Sequence, residues 1–192
     1  MTRDTLTLHD MAGGGRMVEL VQAEEEAQLE AVRTLMRGFV EWHLERHNEY
    51  VSLIRKYFDP VKFEAELADL PGAFRPPGGR LYLAVEDGEA LGCIALQDLG
   101  DGVCEMKRLF VAPGHHGRGL GRLLALRVIE EAVAIGYHTM RLDTGPKQAE
   151  AQGLYTRLGF RRIDPYYELD PEMRDWLIFM ERDLTAPVVD RA

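Results

Sequence analysis

Apolar positions along the chain change period repeatedly, and the changes mark out its elements. Met17-Val18-Glu19-Leu20-Val21 alternates as a strand does. From Glu24 to His47, the positions Leu29, Val32, Leu35, Met36, Phe39 and Val40, with His43 in line, recur at helical spacing. Phe58-Asp59-Pro60 predicts a second helix start, with Asp59 as N-cap, Pro60 at the first helical position and Phe58 stapled onto Phe63. That helix ends at Pro71-Gly72, and residues 75–79 are a loop.

A period of two follows. Leu81 to Val85 and Ala90 to Leu96 read as strands joined by Asp87-Gly88, a two-residue hairpin signal, and Val103 to Val111 as a third strand after the Gly100-Asp101-Gly102 turn. A helix from about Gly119 to Ile135 turns Leu124, Val128, Ala132 and Ile135 toward a sheet, and Gly136 ends it. His138 to Asp143 is a strand, Ala149 to Leu158 a short helix ended by Gly159, and Phe160 to Ile163 and Trp176 to Glu181 closing strands. The order β-α-α-β-β-β-α-β-α-β-β is an α+β layer structure, with helices on both faces of a mixed sheet. The expected limits are an N-terminal extension over 1–16, one domain over 17–184 and a short tail over 185–192.

Composition narrows the function classes. The 192 residues carry 23 Lys+Arg against 32 Asp+Glu, a net charge of −9, which argues against nucleic acid as a partner. Cys93 and Cys104 form neither a disulfide framework nor a zinc-ligand spacing, and fit a reducing, cytoplasmic compartment. No apolar run reaches the ~18 residues of a membrane span, and Met1 to Arg16 has no signal-peptide core. Adjacent His115 and His116 lack a third ligand nearby, so no metal is expected.

The most informative stretch is Phe110 to Leu124. A strand runs into Gly117, Gly119 and Gly121, and these run directly into an amphipathic helix. Glycines let successive amides converge on one point, and a helix N-terminus adds its dipole, so this is an anion site suited to a phosphate or pyrophosphate. Arg118 and Arg122 would add charge. Neither the P-loop pattern nor the dinucleotide GxGxxG pattern fits, since no Lys-Ser/Thr follows the last glycine and Leu124 stands where the third glycine would be.

His116-Gly117-Arg118-Gly119-Leu120-Gly121 resembles the Q/R-x-x-G-x-G/A motif of the GNAT family of N-acetyltransferases, with His116 at the usual Gln/Arg position. Glu105 to Pro113 upstream and Gly153-Leu154-Tyr155-Thr156-Arg157-Leu158-Gly159-Phe160 downstream extend the likeness, and Gln148 stands where the family has Asn. The ending, Pro165-Tyr166-Tyr167 with Phe179-Met180-Glu181, is similar to the family's last hairpin. The resemblance implies a mixed, mostly antiparallel sheet with splayed central strands, and acetyl-CoA as co-substrate held between them. The diphosphate would lie on the amides of residues 116–121, beside Arg122 and Gln148. The pantetheine arm would pair with the backbone of Leu109, Phe110 and Val111.

Acetyl transfer to an amine needs a proton acceptor and a donor for the leaving thiolate. An amine of pKa near 10 is about three units, roughly 4 kcal/mol, from its neutral form at pH 7. The resemblance assigns general base to Glu105, eleven residues before the motif, and general acid to Tyr155 of the LYxxxGF-like element. Asp164, Glu168, Asp170, Glu172 and Asp175 with Tyr166 and Tyr167, together with Glu41 and Glu45, would form an acidic rim suited to a cationic amine. The expected acceptor is therefore a small molecule or other amino group. The alternative is a CoA-binding regulatory module without turnover, and family members often pair as homodimers.

Overall fold

The computed structural model describes residues 8–9 and 17–185. The remainder of the 1–16 extension, its triple glycine included, and the tail after residue 185 lie outside them. Leu8–His9 (β1) pairs antiparallel with Met17–Gln22 (β2). Three helices follow, Glu26–Arg46 (α1), Val51–Tyr57 (α2) and Pro60–Asp69 (α3). Arg80–Glu86 (β3), Glu89–Gly100 (β4) and Val103–Val111 (β5) form an antiparallel meander. Leu120–Ile135 (α4), Thr139–Thr144 (β6), Ala149–Arg157 (α5), Arg161–Ile163 (β7), Pro171–Trp176 (α6) and Ile178–Asp183 (β8) complete the chain.

Local chemistry accounts for the boundaries. The Asp59 carboxylate accepts the amides of Val61 and Lys62 at 3.1 and 3.0 Å, and the Phe58 and Phe63 rings meet at 5.6 Å, so the foreseen cap and staple are both in place. Asp87 and Gly88 both take positive φ, 50° and 82°, which is the type I′ geometry read from the sequence. Two helices were not foreseen. α2 buries little besides Ile54, and α6 little besides Met173, so neither shows an apolar period long enough to register. α6 pushes the last strand's start from Trp176 to Ile178.

The strand order is β1-β2-β3-β4-β5-β6-β8-β7. Both faces are covered, so alternate residues of one strand enter different cores. Leu81, Leu83, Cys93, Ala95 and Phe110 face α1–α3, whereas Tyr82, Ala84, Ile94, Leu96, Cys104 and Met106 face α4. Cys93 and Cys104 are small apolar pieces of these cores, and burial pushes each thiol up to about 12. Among the described residues no helix is long and apolar enough to cross a membrane.

The position of the site follows from one pairing. β5 and β6 are the parallel neighbours, and they pair only through Val103–Thr139, Cys104–Met140 and Glu105–Arg141. Beyond Glu105, β5 continues along β4 to Val111 while β6 continues along β8 to Thr144. The sheet therefore splits into a V, leaving one edge of β5 open just before the glycine-rich turn.

Candidate active site

A β-bulge shapes the β5 side of the split. Lys107 faces Ala95 and Phe110 faces Cys93, so Arg108 and Leu109 together oppose Ile94. Arg108 takes φ 58°, rare for a residue with a Cβ, and its side chain is firmly held. Its guanidinium donates to both oxygens of Glu66 at 2.9 and 2.7 Å and lies over the Phe58 and Phe63 rings. The bulge takes the backbone at Leu109 out of the β4 register, on the strand beside the split.

At the end of β5 the glycine turn adopts the conformation expected of an amide cup. Gly117 and Gly119 take φ 79° and 77°, and Gly119 caps α4, whose first amides have no partner within the helix. A Cβ at Gly114, Gly117 or Gly119 would meet nothing within 4 Å, so the cup is open. Of the side chains expected to add charge, Arg118 is engaged within the protein. Arg118 donates to Glu86 at 2.5 and 3.2 Å and lies beside His115. His116 Nε2 is 2.7 Å from the Val111 carbonyl, tying the turn to the strand end. Arg122 lies exposed on the first turn of α4. Leu120 is buried under that turn and Gly121 packs against Leu154.

The split opens into a narrow cleft, partly open to solvent. Its floor is Met106 to Leu109 of β5 and residues 143–148, from the end of β6 onward, and its roof comes from α1, its C-cap and α2 through Phe39, His43, His47 and Tyr57. Tyr155 lines it, 6% exposed. Burial, and then the Asp143 carboxylate, hold its phenol well above the usual tyrosine range. Gln148 also lines this cleft, engaged with His43 Nε2 and the Thr144 hydroxyl, both at 2.6 Å. In the described residues its side chain thus belongs to the cleft wall.

Glu105 is buried too, at 4% exposure, but lines a second, more open cleft with Tyr166, Tyr167, Lys107 and Arg141. Its carboxylate accepts the Tyr166 hydroxyl at 2.5 Å and Lys107 at 3.0 Å. Glu105 and Tyr155 therefore face different clefts, joined where Tyr57, Lys107 and Arg108 line both. The carboxylate that does share the Tyr155 cleft is Asp143, which sequence reasoning missed. It accepts Tyr57 at 2.6 Å and Tyr167 at 3.1 Å. Those partners lie 86 and 24 positions away, so no local pattern marks it.

The acidic rim also differs from expectation. Asp170 caps α6 through the Met173 amide and, with Glu172, holds Lys56 of α2 at 2.8 and 3.2 Å. These acids anchor α6 to α2. Among the described residues no group of three or more His, Cys, Asp or Glu could hold a metal.

His43 carries a pH consequence. Burial, then neighbouring His47 and Arg46, lower its imidazole to about 4. The unfolded chain binds a proton below about 6.5 that the folded chain refuses until about 4, so stability falls as pH drops through that window. The loss should be about 3 kcal/mol, measured by denaturant unfolding, and most of that slope should vanish in His43→Leu.

The profile of the acetyltransferase (GNAT) family matches residues 39–160, well over half of the chain. The chain belongs to that family. An uncharacterized N-acetyltransferase of Schizosaccharomyces pombe is 41% identical over 104 residues, 53% of this chain and 64% of that protein, so the match spans less than two thirds of the relative. A GNAT-family acetyltransferase from Staphylococcus aureus Mu50 has the same fold, with TM-score 0.67, 22% identity and 87% and 99% of the two chains covered. So does the PaiA N-acetyltransferase of Thermoplasma acidophilum, solved with coenzyme A, at TM-score 0.65, 20% identity and 86% and 98% coverage.

Proposed function

We propose that this chain transfers an acetyl group from acetyl-CoA to the primary amine of a small molecule or another amino group by direct attack. The observation that carries this reading is the parting of β5 from β6 beside the left-handed glycine turn. It gives an extended thiol cofactor a strand edge for its amide-rich arm and an amide cup for its diphosphate. The residues fit: Leu109, Phe110 and Val111 supply the edge, and the backbone of 116–121 the cup.

The amine nitrogen attacks the thioester carbonyl, the C–N bond forms, the C–S bond breaks and the nitrogen's proton passes to a carboxylate. Tyr155, protonated across the working pH range, donates a hydrogen bond and then its proton to the leaving sulfur. Two carboxylates are placed to receive the amine proton. Asp143 shares the cleft with Tyr155, which favours it for direct contact with the amine. Glu105, the base implied by the resemblance, acts through the Tyr166 hydroxyl that it holds.

Steady-state kinetics with thiol detection across an amine panel tests this. Asp143→Asn should lower kcat/KM about a hundred-fold, the lower end for loss of a general base, and Glu105→Gln about ten-fold, below that range because it acts through Tyr166. The reverse order would return the direct role to Glu105. Acetyl-CoA binding without thiol release for any amine would mark a binding module.

A further inference from the structure

Two buried polar atoms of the Tyr155 cleft have no hydrogen-bond partner among the described residues: His47 Nε2 and Trp176 Nε1. His47 is 8% exposed. An indole N–H can only donate, so a buried Trp176 Nε1 calls for an oxygen acceptor supplied from the cleft.

The two residues share a neighbourhood built around Tyr50. The Tyr50 amide donates to the His47 carbonyl at 2.9 Å, its ring centroid is 6.2 Å from that of Trp176, and Lys147 Nζ lies 5.9 Å from its ring. Around His47 the surface charges pair off, Arg46 with Glu150 at 3.0 Å and Lys147 with Glu49 at 3.6 Å. Burial lowers the His47 imidazole, so near neutral pH it is uncharged, and a carboxylate oxygen at Nε2 would select the tautomer that carries its proton there. Elsewhere in the same cleft, Asp143 presents a carboxylate held by Tyr57 and Tyr167. Unpartnered N–H donors in one part and a carboxylate in another give the cleft a polarity matching a molecule with both an acidic and an amino group.

Building on the acetyl-transfer reading, we propose that the acceptor is a small amine bearing a carboxylate. Trp176 Nε1–H and His47 Nε2–H take the acceptor's carboxylate oxygens, and Asp143 faces its amino group. The orphaned polar atoms thereby become selectivity elements, since an acceptor without the oxygens leaves them unsatisfied.

The test measures binding to the CoA-saturated protein, alongside acetylation. The probes are α-, β- and γ-amino acids, each set beside its carboxamide and the amine lacking the carboxylate. An amino acid should bind at least about ten-fold more tightly than its decarboxylated counterpart. Trp176→Phe, which keeps the ring but not the N–H, should remove most of that preference without changing acetyl-CoA affinity or binding of the plain amine. His47→Phe should act alike, and unchanged acetyl-CoA affinity in either variant shows that the fold is kept. Preference for the plain amine or the carboxamide, equal losses across all three probes, or no binding at millimolar concentration would overturn the assignment. Selective binding without acetyl product would support it while overturning the transfer reading, and unselective acetylation would do the opposite.

Discussion

Gly119→Val should bind acetyl-CoA at least about a hundred-fold more weakly than the wild-type protein and still fold. Gly119 takes φ 77°, which a β-branched residue adopts with strain of about 1–2 kcal/mol, a loss the fold can absorb. The binding loss has a separate source. A Cβ at Gly119 would touch no protein atom within 4 Å, so any molecule approaching the backbone there would meet the added side chain. On the proposed reading the diphosphate reaches the amides of the turn and the first turn of α4 there. Gly114→Ala supplies the control. Its Cβ also enters open space, but Gly114 is not among the positive-φ residues and precedes the cup. Calorimetric titration of both variants should show loss only in the first, and comparable affinity in both would remove the cup from the binding account.

The second large effect concerns the leaving group. Tyr155→Phe should lower kcat about a hundred-fold while acetyl-CoA affinity stays within about two-fold, because the ring's packing is retained and only the hydroxyl is lost. The ring packs against Phe160 at 5.8 Å, and phenylalanine fills that contact equally. Burial and Asp143 hold the phenol well above the usual range, which makes proton transfer harder than for a free tyrosine and keeps the effect toward the lower end for a general acid. The same direction means Tyr155 does not ionise between pH 6 and 9, so the wild-type rate should show no alkaline decline attributable to it. Stopped-flow or steady-state thiol release over that range, with the variant alongside, reads both quantities. An unchanged kcat would take the phenol out of the chemistry.

Much of this arrangement was legible in the chain itself, and the rest was hidden for identifiable reasons. The Asp59-Pro60 cap, the Asp87-Gly88 hairpin and the glycine turn are local signals, and each appears where the residues placed it. α6 carries the same Asp-Pro signature at Asp170-Pro171, and Asp170 caps it as Asp59 caps α3. That signal was present but masked by the acidic residues around it, which read as a rim. Arg118 and Glu86 are 32 positions apart, and Glu66 and Arg108 are 42 apart, so no spacing rule could join them. The same distance in sequence hid Asp143. The separate placement of Glu105 and Tyr155 depends on how β5 alternates its side chains between two cores, a property of sheet packing that a linear motif does not encode.

The proposed transfer depends on the 116–121 amides holding the diphosphate of coenzyme A. Parallel calorimetric titrations of the intact protein with acetyl-CoA and with S-acetylpantetheine, which lacks the diphosphate and nucleotide, test it most directly. Acetyl-CoA should bind one site per chain with a dissociation constant below about 100 µM, and S-acetylpantetheine at least about a hundred-fold more weakly. Equal affinity for the two, or no saturable heat with acetyl-CoA at millimolar concentration, would contradict it.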